Sequence, residues 1–223
     1  MEHLTERQVM GFARVRKDDL GYPTLLRTCL SDATPPVLFL LGNRELLTCR
    51  PLGVFCSVQC PGTLILKTYD LACALRDAGV PVISGFHSPM EKECLRLLLR
   101  GTQPVLVCLA RGIERMRIPP EWKNPLAEDR LLILSGFPPG KRRVTAELAQ
   151  ARNRIAAALA DKVFVAYSSP GSKTERFCRD VIGWGKLLFT VDCEENQVLL
   201  NLGAVPVSST APLVPSIMGS DLF

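Results

Sequence analysis

From about residue 50 onward, hydrophobic positions alternate between two spacings along the chain. Short apolar runs bounded by Pro, Gly or Ser predict buried strands at residues 52–58, 80–83, 105–109, 131–134, 163–167 and 187–191. Between them, apolar residues recur every three or four positions and predict helices at residues 64–78, 89–100, 144–160, 173–182 and 197–202. Strands that are apolar on both faces and alternate with helices indicate an α/β fold. We therefore expect a doubly wound, mostly parallel sheet with helices on both faces.

The two ends of the chain lack this alternation. Residues 1–50 contain a helix-like stretch that opens at Tyr22 and a candidate strand at residues 37–41, and they are too short for a hydrophobic core of their own. We expect this segment to pack on the edge of the sheet formed by a domain spanning residues 51–206. Residues 207–223 contain Pro, Ser and Thr and show little periodicity, which predicts a flexible C-terminal tail.

Composition narrows the class of protein. The chain has 223 residues, of which 47% are hydrophobic, and this is enough for a folded core. No run of about 18 uncharged apolar residues is present, so we expect no membrane span. Nine cysteines without a signal peptide predict reduced thiols and a cytoplasmic location. The lack of a Cys-x-x-C pair, with only two histidines in the chain, predicts no metal site. We also expect no cofactor. The formal net charge of +5 permits an anionic partner without requiring one.

Ligands of parallel sheets bind in the loops that follow the carboxyl ends of the strands. Here those loops are rich in Ser and Gly, which leave backbone amides and helix N-termini open to phosphate. The candidate binding residues in the first three loops are Ser57, Ser84, Gly85, Ser88 and Arg111. His87 is a candidate for lining the pocket, and Trp122 and Trp184 are candidates for stacking on a nucleobase. The alternative is structural, because single aromatic residues usually pack and a serine often caps a helix.

The segment from Ser168 to Glu175 joins a predicted strand directly to a predicted helix. Its small residues let a phosphate approach the backbone amides, although the spacing of a Walker loop is absent. The alternative is that Ser172 or Thr174 only caps the helix, with Glu175 in its first turn. The candidate phosphate-binding residues of this segment are Ser169, Gly171, Ser172, Lys173 and Thr174.

A basic run precedes and enters the helix predicted at residues 144–160. From residue 141 to residue 154 there are five basic residues and one acidic residue. Arginine binds phosphate oxygens through two hydrogen bonds, so the run favours an anion-binding face, with snorkelling arginines as the alternative. On an ideal helix, Arg152 and Arg154 fall on opposite flanks of the apolar stripe. The candidate residues of this run are Lys141, Arg142, Arg152, Asn153 and Arg154.

The order of these motifs resembles that of the DprA/Smf family of DNA-processing proteins, within a grouping that includes the LOG phosphoribohydrolases. The resemblance covers about residues 20–205 and is most specific at Arg152-Asn153-Arg154, where the family has Arg-Asn-Arg. The chain departs from the family at residues 56–58, where Cys-Ser-Val replaces Gly-Ser-Arg. It also departs at residues 89–91, where Pro-Met-Glu replaces Gly-Ile-Asp.

The resemblance implies an extended Rossmann-like domain that binds single-stranded DNA in a basic pocket, forms a homodimer and helps to load a RecA-type recombinase. It implies binding roles for Ser57 and for both arginines of the Arg-Asn-Arg block. The alternatives are a nucleotide-binding sensor, a LOG-like phosphoribohydrolase and an interaction module with a degenerate pocket. In the hydrolase hypothesis, Glu91 and Glu175 are the acid/base candidates, because residues 170–175 resemble a shortened LOG motif. We expect a DNA-binding protein rather than an enzyme.

Overall fold

The computed structural model of the protein describes residues 12–114, 116–141, 143–208 and 213–218. Within these residues the strands are β1 (Phe12–Arg16), β2 (Val37–Gly42), β3 (Leu52–Phe55), β4 (Val82–Ser84), β5 (Val105–Cys108), β6 (Leu131–Ser135), β7 (Lys162–Val165), β8 (Leu188–Val191) and β9 (Val205–Val207). The helices are α1 (Thr24–Leu30), α2 (Gly62–Asp77), α3 (Pro89–Leu98), α4 (Pro120–Ala127), α5 (Ala146–Leu159), α6 (Lys173–Gly183), α7 (Gln197–Asn201) and α8 (Leu213–Met218).

All the described strands belong to one sheet with the order β1-β2-β6-β5-β4-β3-β7-β8-β9. The strands from β6 to β9 in this order are parallel, whereas β2 runs antiparallel to both β1 and β6. The chain builds the sheet outward in two directions from β3, which pairs with β4 on one side and β7 on the other. The prediction of a doubly wound, mostly parallel α/β sheet is therefore confirmed, and the crevice at β3 is where such sheets place ligands.

Successive residues of each strand point to opposite faces of the sheet. In β5, Val105 and Val107 belong to one hydrophobic cluster, whereas Leu106 and Cys108 belong to the other. The first cluster contains side chains of α2, α3, α4 and α8, and the second contains side chains of α1, α5, α6 and α7. Helices thus cover both faces, which explains why the central strands are apolar throughout. None of the helices in the described part of the chain has the length and apolar character that a membrane crossing needs.

Two parts of the structure differ from the sequence-based expectations. The sequence predicts no helix between residues 109 and 131, where Pro119, Pro120 and Pro125 indicate a loop, but this segment contains α4. Pro120 is its first helical residue, where the missing N–H of proline is not needed. A flexible tail was expected from residue 207, but Val207 ends β9, and Val214 and Ile217 of α8 are buried on the face that carries α2. Residues 209–212 and 219–223 of that segment lie outside the described residues.

Candidate nucleic-acid interface

The loops selected from the sequence meet at the carboxyl edge of the sheet. The β4–α3 loop is the most constrained of them. Ser84 is buried and its hydroxyl accepts a hydrogen bond from the amide of Phe86 at 3.4 Å. Phe86 has a φ of +46°, a left-handed conformation that is rare for a bulky residue and that concentrates at ligand sites. The β4–α3 loop therefore has an unusual backbone conformation at the carboxyl edge of the sheet.

Arg152 of α5 reaches over this loop. Its Nη1 donates hydrogen bonds to the carbonyl oxygens of Gly85 at 2.9 Å and Cys108 at 3.3 Å. Its Nε donates to Oδ1 of Asn153 at 2.7 Å, so Asn153 orients the guanidinium. The residue is only 4% exposed, and no carboxylate among the described residues forms an ion pair with it. A buried cation without a counter-charge is costly, and a bound anion would offset that cost.

Gly85 and Cys108 both lie against the Arg152 side chain. A Cβ added at Gly85 would overlap the Arg152 guanidinium, so only glycine permits this approach. Burial raises the pKa of the Cys108 thiol to about 12, although the positive charge of Arg152 acts in the opposite direction. Cys108 therefore stays neutral at physiological pH and does not supply the missing counter-charge.

Arg152 lines a cavity of about 430 Å³ between α3, α4 and the ends of β4 and β5, which we call the Arg152 cavity. Its apolar lining consists of Phe86, Leu95, Leu99, Val107, Leu109, Ala110, Pro119, Trp122 and Val144. Its charged lining consists of Lys92, Arg96, Arg111, Arg152 and Glu121. Gly85 and the exposed His87 complete it. Four cations and one carboxylate line the cavity, and Arg96 is also paired with Glu93 at 2.8 Å. The remaining excess of positive charge makes the cavity suitable for an anion that also carries apolar surface.

The structure brings together several of the residues selected from the sequence and adds others. Arg152, Gly85 and Arg111 all line the Arg152 cavity, as do His87 and Trp122. Sequence analysis did not select the two basic residues of α3, Lys92 and Arg96. The available signal was their spacing of four residues, which places both on one helix face directly after a carboxyl-edge loop.

Glu91 organises the β4–α3 loop. Its Oε2 accepts hydrogen bonds from the amides of His87 at 2.9 Å and Ser88 at 3.2 Å, and its Oε1 accepts one from the amide of Cys56 at 3.2 Å. Ser88 is the N-cap of α3 and accepts a hydrogen bond from the amide of Glu91, which completes a capping box. Both carboxylate oxygens thus bind backbone, and the contacts favour a positioning role for Glu91 over an acid/base role.

Glu175 has the same function in the β7–α6 loop. Its Oε2 accepts a hydrogen bond from the amide of Gly171 at 2.7 Å, and its Oε1 is 2.6 Å from Nη2 of Arg179. The Arg179 guanidinium, with the Gly171 amide, lowers the pKa of the Glu175 carboxyl. Ser172 caps α6 and accepts from the Glu175 amide, and the carbonyl of Ser169 accepts from the Ser172 amide. The contacts therefore match the helix-capping interpretation of this segment.

The loop after β3 carries an unpartnered hydroxyl. Ser57 is buried, its amide donates to the carbonyl of Tyr167 at 3.0 Å, and its Oγ has no hydrogen-bond partner among the described residues. The thiols of Cys56 and Cys60 flank it and interact. Their mutual hydrogen bond is the main cause that raises the pKa of Cys56 and lowers the pKa of Cys60. The Ser57 hydroxyl is therefore a buried polar group without a partner among the described residues, at the crevice between β3 and β7.

Arg154 lies in a different environment from Arg152. Its Nη1 is 3.1 Å from Oδ2 of Asp180, and its guanidinium lies 5.6 Å from the ring centre of Trp184. It lines a second cavity of about 610 Å³ between α1, α5 and α6, which we call the Arg154 cavity and which also includes Lys173 and Arg176. The Arg-Asn-Arg block is thus divided between two cavities on opposite faces of the sheet.

The remaining selected residues are peripheral to both arginines. Lys141 is exposed, and its carbonyl accepts a hydrogen bond from the amide of Gly112 at 2.9 Å. Thr174 is half-buried in the first turn of α6. Arg142 lies outside the described residues. In the part of the chain that the structure describes, no group of three or more His, Cys, Asp or Glu side chains is placed to hold a metal ion.

The fold is that of several solved α/β proteins. It is similar to DNA processing protein A from Streptococcus pneumoniae, with a TM-score of 0.73 and 22% identity over 88% of this chain and 71% of that chain. It is similar to the Helicobacter pylori protein of the same name, which binds single-stranded DNA, with a TM-score of 0.71 and 18% identity over 90% and 91%. The molybdenum cofactor carrier protein of Chlamydomonas reinhardtii shares the fold less closely, with a TM-score of 0.51 and 15% identity over 76% and 94%.

The sequence itself matches the family of DNA recombination-mediator protein A over residues 14–180. No curated protein matches the chain. Because the family match spans most of the chain, the protein belongs to the DNA recombination-mediator protein A family, a family of DNA-processing proteins. The resemblance to the DprA/Smf family is therefore confirmed.

Proposed function

We propose that this protein binds single-stranded DNA along the carboxyl edge of its sheet, with the Arg152 cavity as the central contact. The observation that carries the proposal is the Arg152 guanidinium, which is buried, lacks a carboxylate partner among the described residues, and lines a cavity with further cations. Membership of the family supports it, as does the single-stranded DNA binding of the H. pylori relative. Exposed Lys141 extends the same edge for phosphate contacts.

The chemistry of the edge fits an unpaired strand better than a duplex. A single strand exposes both phosphates and base faces, and it bends to follow a groove. The Arg152 cavity offers cations for the former and apolar walls with an aromatic ring for the latter. Neutralising each phosphate of a single strand releases counterions, so the logarithm of the affinity is expected to fall with the logarithm of salt by about 0.7 per contact.

Fluorescence anisotropy of a labelled oligothymidine over a salt series tests this proposal. We expect salt-sensitive binding that duplex DNA competes poorly. Arg111→Glu reverses one exposed charge of the cavity and is expected to weaken binding about tenfold and to reduce the salt slope by about 0.7. Arg44→Glu is the matched control, because Arg44 is an exposed arginine that follows the end of β2, at the opposite edge of the sheet.

Equal losses in the two variants would show that only net charge matters and would contradict the assignment of the site. No binding to any strand at low salt would contradict the function itself. A phosphoribohydrolase is not proposed, because Glu91 and Glu175 both have their carboxylate oxygens bound in the loops. A homodimer and a RecA-type partner stay predictions that are based on the resemblance, and a cytoplasmic location stays a prediction that is based on the cysteine content.

A further inference from the structure

We infer that Cys56 and Cys60 are a redox-active dithiol: a hydroperoxide oxidises Cys60, and Cys56 then closes a disulfide with it. The inference goes beyond the proposed function, because it concerns the chemistry of the loop between β3 and α2 and holds whether or not a strand binds. It assigns a modification site to the crevice between β3 and β7, where the proposed function places no contact.

The fold holds the two thiols together. Cys56 directly follows β3, and Cys60 directly precedes Pro61, the N-cap of α2. The chain bends at the two residues before Cys60, and the two side chains share a hydrogen bond. Cys56 belongs to the hydrophobic cluster that contains side chains of α2 and α3, and Cys60 packs against the same cluster. A disulfide needs two sulfurs that can approach to about 2 Å, and thiols in hydrogen-bond contact meet this need with a small movement of the loop.

The two thiols differ in how firmly they are held and in how well solvent reaches them. The amide of Cys56 donates to Oε1 of Glu91 at 3.2 Å, and the amide of Ser57 donates to the carbonyl of Tyr167 at 3.0 Å. The next two residues are exposed, and Cys60 itself is half-buried, whereas Cys56 is only 8% exposed. A small oxidant from solvent therefore reaches Cys60 first, and the anchored Cys56 lies behind it.

The shared hydrogen bond assigns the same order of reaction. The Cys56 thiol donates it to the Cys60 sulfur, which raises the pKa of Cys56 and lowers the pKa of Cys60. Because the thiolate is the nucleophile in thiol oxidation, Cys60 attacks the oxidant and Cys56 keeps its proton until the second step. Burial instead raises the pKa of Cys94, Cys108 and Cys178 to about 12, so these thiols stay protonated and unreactive.

The reaction balances with hydrogen peroxide as the simplest hydroperoxide. The Cys60 thiolate attacks one peroxide oxygen, the O–O bond breaks, and the leaving hydroxide takes a proton and becomes water, which leaves a sulfenic acid on Cys60. The Cys56 sulfur then attacks the Cys60 sulfur, the S–O bond breaks, and hydroxide leaves as water with the proton of Cys56. The thiols lose two electrons and the peroxide gains them. A thiol reductant such as dithiothreitol reverses the change.

Peroxide treatment of the native protein, followed by alkylation and tandem mass spectrometry, tests the inference. Trypsin leaves Cys49, Cys56 and Cys60 on one peptide, residues 45–67, because it does not cleave before proline. Cys49→Ser is therefore the parent protein for the test. The substitution is conservative, because a serine hydroxyl can replace the Cys49 thiol as donor to the carbonyl of Leu46.

We expect the parent to yield a Cys56–Cys60 disulfide, detected as a peptide that has lost two hydrogens and resists alkylation until dithiothreitol is added. Cys56→Ser keeps a donor beside Cys60 but cannot form the disulfide, so Cys60 is expected to stop at a sulfenic acid that dimedone traps. Cys60→Ser is expected to leave Cys56 reduced. The half-buried Cys193, whose pKa is raised by burial, is the internal reference and should oxidise at least about tenfold more slowly than Cys60.

Full alkylation of both cysteines after peroxide treatment would overturn the inference. Equal rates of oxidation at Cys60 and Cys193, or a disulfide between Cys60 and any cysteine other than Cys56, would overturn it as well. The disulfide is read directly in the parent, so the test stays decisive where circular dichroism shows that a serine variant of the pair is misfolded.

Discussion

Two arginines lie two positions apart on α5, but they differ in burial and in whether a carboxylate balances their charge. Arg154 has a carboxylate at 3.1 Å and an indole ring at 5.6 Å, and its side chain is 39% exposed. Arg152 is almost fully buried, and its partners are carbonyl oxygens and an amide. The comparison shows that one motif supplies an ion-paired arginine to one face of the sheet and a buried arginine without a carboxylate partner among the described residues to the other. Our proposal assigns strand binding to the second of them.

What separates the two roles is the counter-charge. A half-exposed guanidinium that is paired with a carboxylate stabilises the packing of its helix only modestly. Its positive charge is already balanced by that carboxylate, so it attracts an anionic ligand less strongly. A buried guanidinium without a carboxylate partner has a positive charge that no side chain balances, and an anionic ligand would balance it. Substitutions at and around the two arginines test this distinction.

The largest effect is expected from Gly85→Ala. The added Cβ overlaps the Arg152 guanidinium, so either the loop or the arginine must move. We expect the free energy of unfolding to fall by about 1–3 kcal/mol, as for other overpacked sites, and strand binding to weaken by more than tenfold. Urea denaturation and anisotropy measure the two effects. Gly62→Ala is the control, because the first residue of α2 has open space around it and should tolerate the methyl group.

The next prediction compares how charge reversal in each of the two cavities changes strand binding. Arg111→Glu and Arg176→Glu reverse the charge of one exposed arginine in the Arg152 cavity and in the Arg154 cavity, respectively. We expect the first to weaken strand binding about tenfold and the second by less than about twofold. Comparable losses in anisotropy would mean that the strand contacts both cavities, and the division of the motif would then be wrong as an account of function.

Much of the fold was predictable from the sequence because its central strands are buried on both faces. Their apolar runs stand out between helices of ordinary length, and β3 to β8 were all predicted. β1 and β9 lie at the edges of the sheet, where short strands with exposed positions lack such a run. α4 was missed because its prolines indicate a loop, although Pro120 is tolerated in the first turn.

The site was predictable only in part because its decisive contacts join distant segments. The spacing on a helix correctly placed Arg152 and Arg154 on opposite flanks of α5. It could not reveal that Asp180 of α6 neutralises one of them, or that Gly85 leaves room for the other. The roles of Glu91 and Glu175 depend in the same way on backbone amides of the folded loops.

A smaller effect is expected from Arg154→Gln. It removes the ion pair with Asp180 and the contact with Trp184, which together contribute about 0.5–2 kcal/mol. We expect a lower free energy of unfolding and unchanged strand binding at matched salt. Asp180→Asn should give a similar loss, and the double variant should lose less than the sum of the two. A loss of strand binding without a loss of stability would reverse the roles that we assign to the two arginines.

The smallest effect concerns Glu175 and is dependent on pH. The pKa of Glu175 is lowered from its ordinary value of 4.5 by Arg179 and by the Gly171 amide. A carboxyl whose pKa falls on folding stabilises the protein above its unfolded pKa and loses that contribution as pH falls through the folded pKa. We expect Glu175→Gln to be less stable than the parent at pH 7 and equal to it in strong acid. A constant difference at all pH values, measured by urea denaturation, would argue against this account.

Photo-crosslinking locates a bound strand on the protein and so tests whether single-stranded DNA contacts the Arg152 cavity. An oligonucleotide that carries a photoreactive uracil is bound to the protein, irradiated and mapped by tandem mass spectrometry. The account predicts crosslinks within α3, α4 and the loops that follow β4 and β5, with Trp122 among the modified residues. Crosslinks confined to the Arg154 cavity or to the opposite edge of the sheet would contradict it.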